Sequence, residues 1–203
     1  MSEIIIASRN DGKIKEIIEI LDLRDVRVYT YRDFPSWPDA KEIGATFYEN
    51  ALIKARALVK AFNKPAIADD SGLEVGALGG APGIYSARYA GEEGNAKKNN
   101  EKLLKELEGV PEEERTARFR CVAVILTPDG WVASAEGTLE GRIGFKLRGE
   151  RGFGYDPLFI PKGETRTVAE MSADEKNKIS HRGKAFRKLK EKLDEFKEHA
   201  KDC

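Results

Sequence analysis

The sequence is poor in the residues that build disulfide frameworks and histidine-rich metal sites. Its 203 residues include two cysteines and two histidines. Cys121 lies in an apolar run and Cys203 is the last residue, so the spacing fits neither a disulfide framework nor a CxxC metal motif. With two histidines, the chain cannot form a zinc site that needs three histidine ligands. This usage of cysteine predicts a reducing, cytoplasmic location.

Net charge and long apolar runs are also lacking. Lys and Arg number 35 and so do Asp and Glu, so no global field attracts the chain to nucleic acid or to an anionic membrane. No apolar stretch approaches the roughly 20 residues that cross a bilayer, and no secretion signal precedes Ile4. We therefore expect no nucleic-acid partner, no membrane partner and a single domain over residues 1–203.

The apolar periodicity alternates between strand and helix. This alternation predicts a mixed α/β domain with an antiparallel hairpin at one edge of the sheet. A long glycine-rich loop spans residues 76–94. The predicted elements are strand 4–8, a helix with Ile14, Ile17, Ile18 and Leu21, strand 26–30, helix 46–63, strand 66–68, helix 97–107, hairpin strands 119–126 and 131–136, and a last helix with Phe186, Leu189, Leu193 and Phe196.

The first chemical motif is the segment Ser8-Arg9-Asn10-Asp11-Gly12-Lys13, between a strand and a helix. Backbone NH groups at a helix start, polar side chains and a nearby lysine suit a polyphosphate. The spacing is not that of a Walker A loop. The alternative is that Asn10 or Asp11 only caps the helix while Lys13 is solvated.

The second motif is Asp69-Asp70-Ser71-Gly72, which we place at the end of the short strand 66–68. Adjacent carboxylates are costly to bring together unless a cation neutralises them, and a hard divalent metal is the usual partner. One aspartate would bind metal and activate water while the other orients the backbone. An Asx turn before Gly72 is the alternative, but one aspartate suffices for it.

A third group precedes and begins the second helix. Glu42 is a candidate second metal ligand, and Asn50 and Lys54 share a helix face because they are four residues apart. Taken alone, this group is typical of a solvated helix with a charged approach.

The fourth group joins Phe153-Gly154-Tyr155-Asp156 to Ser180-His181-Arg182-Gly183. An aromatic ring can stack on a base, an aspartate can accept hydrogen bonds from base NH groups, and a His-Arg pair can donate to keto oxygens or phosphate. The alternative for His181 is a surface histidine at the start of a helix.

These segments, in this order, resemble the inosine/xanthosine triphosphate pyrophosphatase family, also called Ham1-like. The resemblance implies an α/β fold whose central twisted mixed sheet has flanking helices, with two lobes around a substrate cleft, and a homodimer. It implies hydrolysis of ITP, dITP and XTP to the monophosphate and pyrophosphate, which cleanses the nucleotide pool. The segments that carry it are 7–10, 68–73, 82–89, 153–156 and 180–183.

The resemblance also implies roles for individual residues. Ser8, Asn10 and Lys13 resemble the phosphate-binding loop. Asp70 resembles the catalytic general base, and Glu42 and Asp70 together resemble the carboxylates that bind the Mg²⁺ cofactor. The other positions that resemble substrate contacts are Lys54, Ser71, Arg88, Phe153, Gly154, Tyr155, Asp156, Lys176, His181 and Arg182.

The chain departs from the family pattern at two of these places. Lys41 stands beside Glu42 where some members carry a second acid, which bears on the metal assignment of Glu42. Arg9 replaces the small residue often found between the hydroxyl and the asparagine, which bears on how the loop approaches phosphate.

Two other functions are open to a chain of this kind. A Maf-like nucleotide pyrophosphatase has a comparable fold and reaction but other base preferences, and the segments 153–156 and 180–182 argue against it. A non-catalytic nucleotide sensor would keep the lysines and aromatic residues but would not need the pair Asp69 and Asp70.

Overall fold

The structure is a computed structural model that describes residues 3–92 and 94–199, with side chains up to residue 194. Six strands form one sheet in the order β2-β1-β3-β4-β5-β6. Strand β1 is parallel to β2 and β3, and β5 is antiparallel to β6. The elements are β1 Glu3–Ile6, α1 Asp11–Leu21, β2 Arg27–Tyr29, α2 Phe47–Phe62, β3 Ala66–Val75, α3 Ala96–Glu106, β4 Thr116–Leu126, β5 Val132–Ile143, β6 Phe159–Pro161, α4 Ala173–Ile179 and α5 His181–His199.

The mixed sheet with flanking helices confirms the predicted α/β fold class. The chain divides into two compact units. The first comprises the described parts of Met1–Asp70, Cys121–Gly137 and Arg182–Cys203, and the second those of Ser71–Arg120 and Thr138–His181. Neither unit is one continuous segment. The substrate cleft and the single domain over residues 1–203 stay predictions.

Side-chain caps set where the helices begin. Asn10 accepts a hydrogen bond from the backbone NH of Lys13 at the start of α1. Thr46 accepts one from the NH of Glu49 at the start of α2. At the start of α4, Ser172 forms the capping box with Glu175 that their spacing indicates. Each cap satisfies backbone donors that have no partner inside the helix, so short local patterns fix these boundaries.

The first unit has an apolar core on each face of the sheet. Ile4 and Ile6 of β1 belong to one core and Ile5 to the other, because side chains alternate along a strand. Helix α2 supplies Ala55 and Leu58 to the core around Ile5. The other core receives Ile14, Ile17 and Leu21 from α1 and Ala185, Phe186, Leu189 and Leu193 from α5. Phe196 is predicted to belong to the same apolar stripe, but its side chain lies outside the described residues.

The second unit has its own core, built from β-strand and loop residues against α3. Phe119 of β4 and Phe159 of β6 have ring centroids 4.4 Å apart. Leu103 of α3 and Leu158 are fully buried in the same cluster. This core supports the loop 153–158 and the start of α5, where several of the predicted substrate contacts lie.

The sheet differs from the sequence prediction in three respects. Strand β3 does not end at Ala68 but continues through Asp69 and Asp70 to Val75 as part of the sheet, and both carboxylates have cationic partners, as described below. The predicted hairpin of β4 and β5 exists but is not at the edge of the sheet. The strand at that edge is β6, whose three residues Phe159–Pro161 are too few to show a periodic pattern, and β2 forms the opposite edge. Within the described ranges, no helix combines the length and apolarity needed to cross a bilayer.

Candidate active site

The loop before α1 is held by its own side chains. The backbone NH of Asn10 donates to Oγ of Ser8 at 3.1 Å, and that of Lys13 donates to Oδ1 of Asn10 at 3.1 Å. The capping role of Asn10 is therefore confirmed. The side chain of Lys13 is not simply solvated, since its Nζ lies 3.3 Å from Oδ2 of Asp69. Phosphate binding by these three residues stays a prediction.

Asp69 is a buried anion surrounded by cations. Its Oδ2 lies 3.3 Å from Nζ of Lys13 and 3.5 Å from Nε of Arg182, and the thiol of Cys121 donates to it at 3.9 Å. Burial by itself raises the pKa of the carboxyl, but the charges of Lys13, Arg182 and Lys54 outweigh burial and hold that pKa well below its usual value. Asp69 therefore stays ionised and orients two basic side chains.

Arg182 is held by acids within the first unit. Its side chain is 2% exposed, and its Nη1 lies 3.1 Å from Oε2 of Glu16 in addition to the contact with Asp69. No motif of the sequence indicates the partner Glu16, because the two residues are 166 positions apart. The predicted contact of Arg182 with the base is not tested by this geometry and stays a prediction.

Asp70, the predicted general base, has different partners from its neighbour because side chains alternate along β3. Nζ of Lys54 lies 3.2 Å from its Oδ1, and the amide of Asn50 donates to its Oδ2 at 3.2 Å. Burial raises the pKa of Asp70, Lys54 lowers it and Glu42 raises it, with a net shift above the usual value. A raised pKa makes this carboxylate a better proton acceptor than an ordinary aspartate.

Glu42 and Asp70 share Lys54 as an ion-pair partner. Nζ of Lys54 lies 3.1 Å from Oε1 of Glu42, so one ammonium contacts both of the predicted metal carboxylates. Asn50 also accepts a hydrogen bond from the NH of Gly44 at 2.8 Å and so ties the loop before α2 to Asp70. We refer to Lys13, Glu42, Asn50, Lys54, Asp69, Asp70 and Arg182 as the carboxylate–lysine cluster.

The oxygen donors of this cluster suit a hard cation. Within the part of the chain that is described, no group of three or more acidic, histidine or cysteine side chains is arranged to hold a metal. Mg²⁺ is usually bound by one or two carboxylates together with waters and substrate phosphates. Glu42 and Asp70 therefore fit a Mg²⁺ ion that completes its coordination with phosphate oxygens.

The second unit brings together Phe153, Asp156 and Lys176. Oδ2 of Asp156 accepts a hydrogen bond from the NH of Phe153 at 2.9 Å and lies 2.6 Å from Nζ of Lys176. The same ammonium lies 4.4 Å from the centroid of the Phe153 ring, which is 49% exposed. We refer to these three residues as the aromatic–acid cluster. The ring of Phe153 is partly exposed to solvent, and Asp156 is held in place by two donors.

Tyr155 and Gly154 have structural contacts beside this cluster. Tyr155 is buried, and its hydroxyl donates to the backbone oxygen of Ser86 at 2.8 Å. The backbone oxygen of Gly154, a residue with φ +60, accepts a hydrogen bond from the amide of Asn100 at 2.9 Å. The sequence prediction missed Asn100. The feature that could have indicated Asn100 is the pair Asn99-Asn100 inside helix α3, because asparagine is unfavourable within a helix unless its side chain has a role.

The remaining predicted contacts lie on three separate elements. His181 begins α5, is 8% exposed and stacks on Phe119 with ring centroids 4.9 Å apart, so the surface alternative is wrong. Ser71 is partly buried on β3, directly after Asp70. The guanidinium of Arg88 lies 5.2 Å from the ring centroid of the exposed Tyr85. The nucleotide contacts of these residues stay predictions.

The mixed sheet and the carboxylate–lysine cluster define an α/β protein with a partly buried group of paired acidic and basic side chains. Comparison with known proteins gives the family. The profile of the Ham1 family matches residues 4–192. The chain therefore belongs to the Ham1 family, as the sequence motifs indicate.

Curated relatives are similar over nearly their whole length. The dITP/XTP pyrophosphatase of Geobacillus kaustophilus is 50% identical over 196 residues, covering 97% of this chain and 96% of the relative. That of Bacillus subtilis is 50% identical over 194 residues, covering 96% and 98%. Among solved structures, the Ham1 protein of Staphylococcus aureus has a TM-score of 0.87 and 44% identity, covering 95% of this chain and 98% of that one.

Proposed function

We propose that this protein hydrolyses the non-canonical purine nucleoside triphosphates ITP, dITP and XTP to the monophosphate and pyrophosphate, and so cleanses the nucleotide pool. Membership of the Ham1 family and the names of relatives at about half identity support the reaction. The observation that carries it in the structure is the pair of carboxylates joined by one lysine, in which Nζ of Lys54 lies 3.1 Å from Oε1 of Glu42 and 3.2 Å from Oδ1 of Asp70.

The phosphate chemistry is assigned to the carboxylate–lysine cluster. Asp70 orients the attacking water and accepts its proton. Lys13 and Lys54 stabilise the charge that develops on the leaving pyrophosphate. Asp69 positions Lys13 for this role through their 3.3 Å contact. Ser8 and Asn10 present the loop before α1 to the phosphates.

Glu42 and Asp70 hold the Mg²⁺ cofactor in this proposal. When bound, Mg²⁺ neutralises phosphate charge and lowers the pKa of a coordinated water. The two carboxylates are oxygen ligands, as a hard cation requires, and they already share one cation in Lys54.

Recognition of the purine base is assigned to Phe153, Tyr155, Asp156, His181 and Arg182. Hypoxanthine and xanthine carry a keto group at the six position, which accepts hydrogen bonds, whereas adenine carries an amino group, which donates them. Donors from His181 and Arg182 therefore favour ITP and XTP and disfavour ATP. Ser71, Arg88, Gly154 and Lys176 complete the proposed substrate contacts.

The proposal includes a cytoplasmic homodimer with no nucleic-acid or membrane partner. The balance of 35 basic and 35 acidic residues supports the absence of a nucleic-acid partner. Size-exclusion chromatography with light scattering measures the oligomeric state, and a monomeric mass at micromolar concentration would contradict the dimer.

The decisive experiment measures phosphate release from ITP, dITP, XTP, GTP and ATP, with and without added inorganic pyrophosphatase. A signal that requires the added enzyme identifies pyrophosphate as the product, whereas a signal without it identifies orthophosphate. We expect ITP, dITP and XTP to react with kcat/KM well above that of ATP. Equal values for ITP and ATP would contradict the base assignment. No release from any nucleotide would support a sensor, and release from pyrimidine nucleotides alone would support a Maf-like specificity.

A further inference from the structure

One ammonium group contacts both carboxylates that are assigned to the metal. Nζ of Lys54 lies 3.1 Å from Oε1 of Glu42 and 3.2 Å from Oδ1 of Asp70. The lysine side chain is 17% exposed, so water screens these contacts only partly. Lys54 therefore neutralises, from within the chain, the same two charges that a divalent cation would neutralise.

A metal ion and this ammonium compete for the same oxygens. Mg²⁺ lies about 2.1 Å from its oxygen ligands. An ion on Oδ1 of Asp70 would therefore lie at most about 5.3 Å from Nζ of Lys54 in its present position, given the 3.2 Å contact. Two cations at this separation in a partly buried site repel each other strongly. The metal can bind well only after the lysine has moved.

The rest of the site can stay in place while the lysine moves. Oδ2 of Asp70 is held separately by the amide of Asn50 at 3.2 Å, so the carboxylate keeps its position without Lys54. The ammonium is at the end of a flexible four-carbon side chain that can transfer to a phosphate oxygen.

We infer that Lys54 is an internal counter-cation that keeps divalent metals off Glu42 and Asp70 until a triphosphate takes up its ammonium. This inference rests on the proposed function, since the triphosphate is the anion that draws Lys54 away. Metal and nucleotide then bind with positive coupling, and each raises the affinity of the other by the same factor. Such factors are typically about 5–150.

The test measures Mn²⁺ binding to the whole protein without nucleotide, by electron paramagnetic resonance of the free ion. The variants are Lys54→Met, which keeps the length of the side chain and removes its charge, and Lys60→Met, an exposed lysine on the same helix. We expect Lys54→Met to bind Mn²⁺ at least ~10-fold more tightly than the wild type, the size of a moderate coupling. Lys60→Met should match the wild type.

A second titration adds a non-hydrolysable α,β-imido analogue of ITP. The phosphate oxygens of the analogue add metal ligands in both proteins, so the test is the difference: the factor by which the analogue raises Mn²⁺ affinity should be at least ~5-fold larger for the wild type than for Lys54→Met. If thermal melts show that Lys54→Met does not fold, Lys54→Gln replaces it, because its shorter neutral side chain also removes the charge.

The counter-cation is rejected if a folded Lys54 variant binds Mn²⁺ no more tightly than the wild type. It is also rejected if the analogue leaves the wild-type affinity unchanged. Pyrophosphate release from ITP by the wild type is measured separately. Release with unchanged Mn²⁺ binding rejects the counter-cation and leaves the proposed function standing, whereas absence of release rejects the function itself.

Discussion

Asp69 and Asp70 are neighbours on β3, yet their carboxyl groups have opposite pKa shifts. Asp69 is buried among Lys13, Arg182 and Lys54, which hold its pKa low against the effect of burial. For Asp70, burial and Glu42 together outweigh Lys54 and raise the pKa. The alternation of the strand separates the two side chains, so Asp69 is a fixed anion among cations while Asp70 contacts Lys54 and Asn50.

Asp69→Asn should destabilise the protein. The change leaves the buried guanidinium of Arg182 and the ammonium of Lys13 without their shared anion. Loss of one partner of a buried ion pair typically costs about 3–5 kcal/mol. Urea denaturation at neutral pH measures the difference, with Asp25→Asn, a change of an exposed aspartate, as the control. A free energy of unfolding equal to that of the wild type would contradict the anchoring role.

The contribution of Asp69 should disappear in acid. Because its folded-state pKa is lowered, its stabilisation is present above the unfolded-state value of about 3.9 and is lost as the pH falls towards the folded-state pKa. The difference in unfolding free energy between wild type and Asp69→Asn should therefore shrink between pH about 5 and pH about 2. Urea titrations at several pH values test this, and a constant difference would contradict it.

Asp70→Asn should lower kcat by at least ~100-fold, the lower range for a general acid–base contribution. The effect of this change on stability should be smaller than that of Asp69→Asn. Burial raises the pKa of Asp70, which favours a neutral side chain there, while the ammonium of Lys54 loses one of its two anions but keeps Glu42. Pyrophosphate release and urea denaturation in metal-free buffer measure the two effects. Near-normal turnover would reject the catalytic assignment, and a loss of stability as large as that of Asp69→Asn would reject the electrostatic one.

His181→Phe should reduce the preference for ITP over ATP. The phenyl ring can keep the stacking on Phe119 but cannot donate a hydrogen bond to a keto oxygen. Loss of one such donor typically costs about 1–3 kcal/mol, so the ratio of kcat/KM for ITP and ATP should fall by roughly 10-fold or more. Steady-state kinetics measure the ratio. An unchanged ratio in a variant with a wild-type thermal midpoint would remove His181 from base recognition.

Asn100→Leu should raise KM more than it lowers kcat. The amide of Asn100 donates to the backbone oxygen of Gly154, next to Phe153, and this residue belongs to the second unit, whereas the carboxylate–lysine cluster belongs to the first. Releasing this oxygen should loosen the aromatic–acid cluster and leave the phosphate chemistry intact. Glu101→Gln, an exposed change on the same helix, serves as the control. A fall in kcat at constant KM would contradict this positioning role.

The sequence by itself determined the features that depend on neighbouring residues. The amino-acid sequence specifies the helix caps and the apolar stripes of α1 and α5, because these features involve positions only a few residues apart. The caps are Asn10, Thr46 and Ser172. The joint set of short motifs identified the family in the same way, and the family profile confirms it.

Only the tertiary structure decided how the charges are paired. The partner of Arg182 is Glu16, 166 positions away, and Lys54 contacts both Glu42 and Asp70. These pairs determine the direction in which the pKa of each aspartate is shifted. They depend on burial and on distances between segments remote in sequence, which no local periodicity specifies.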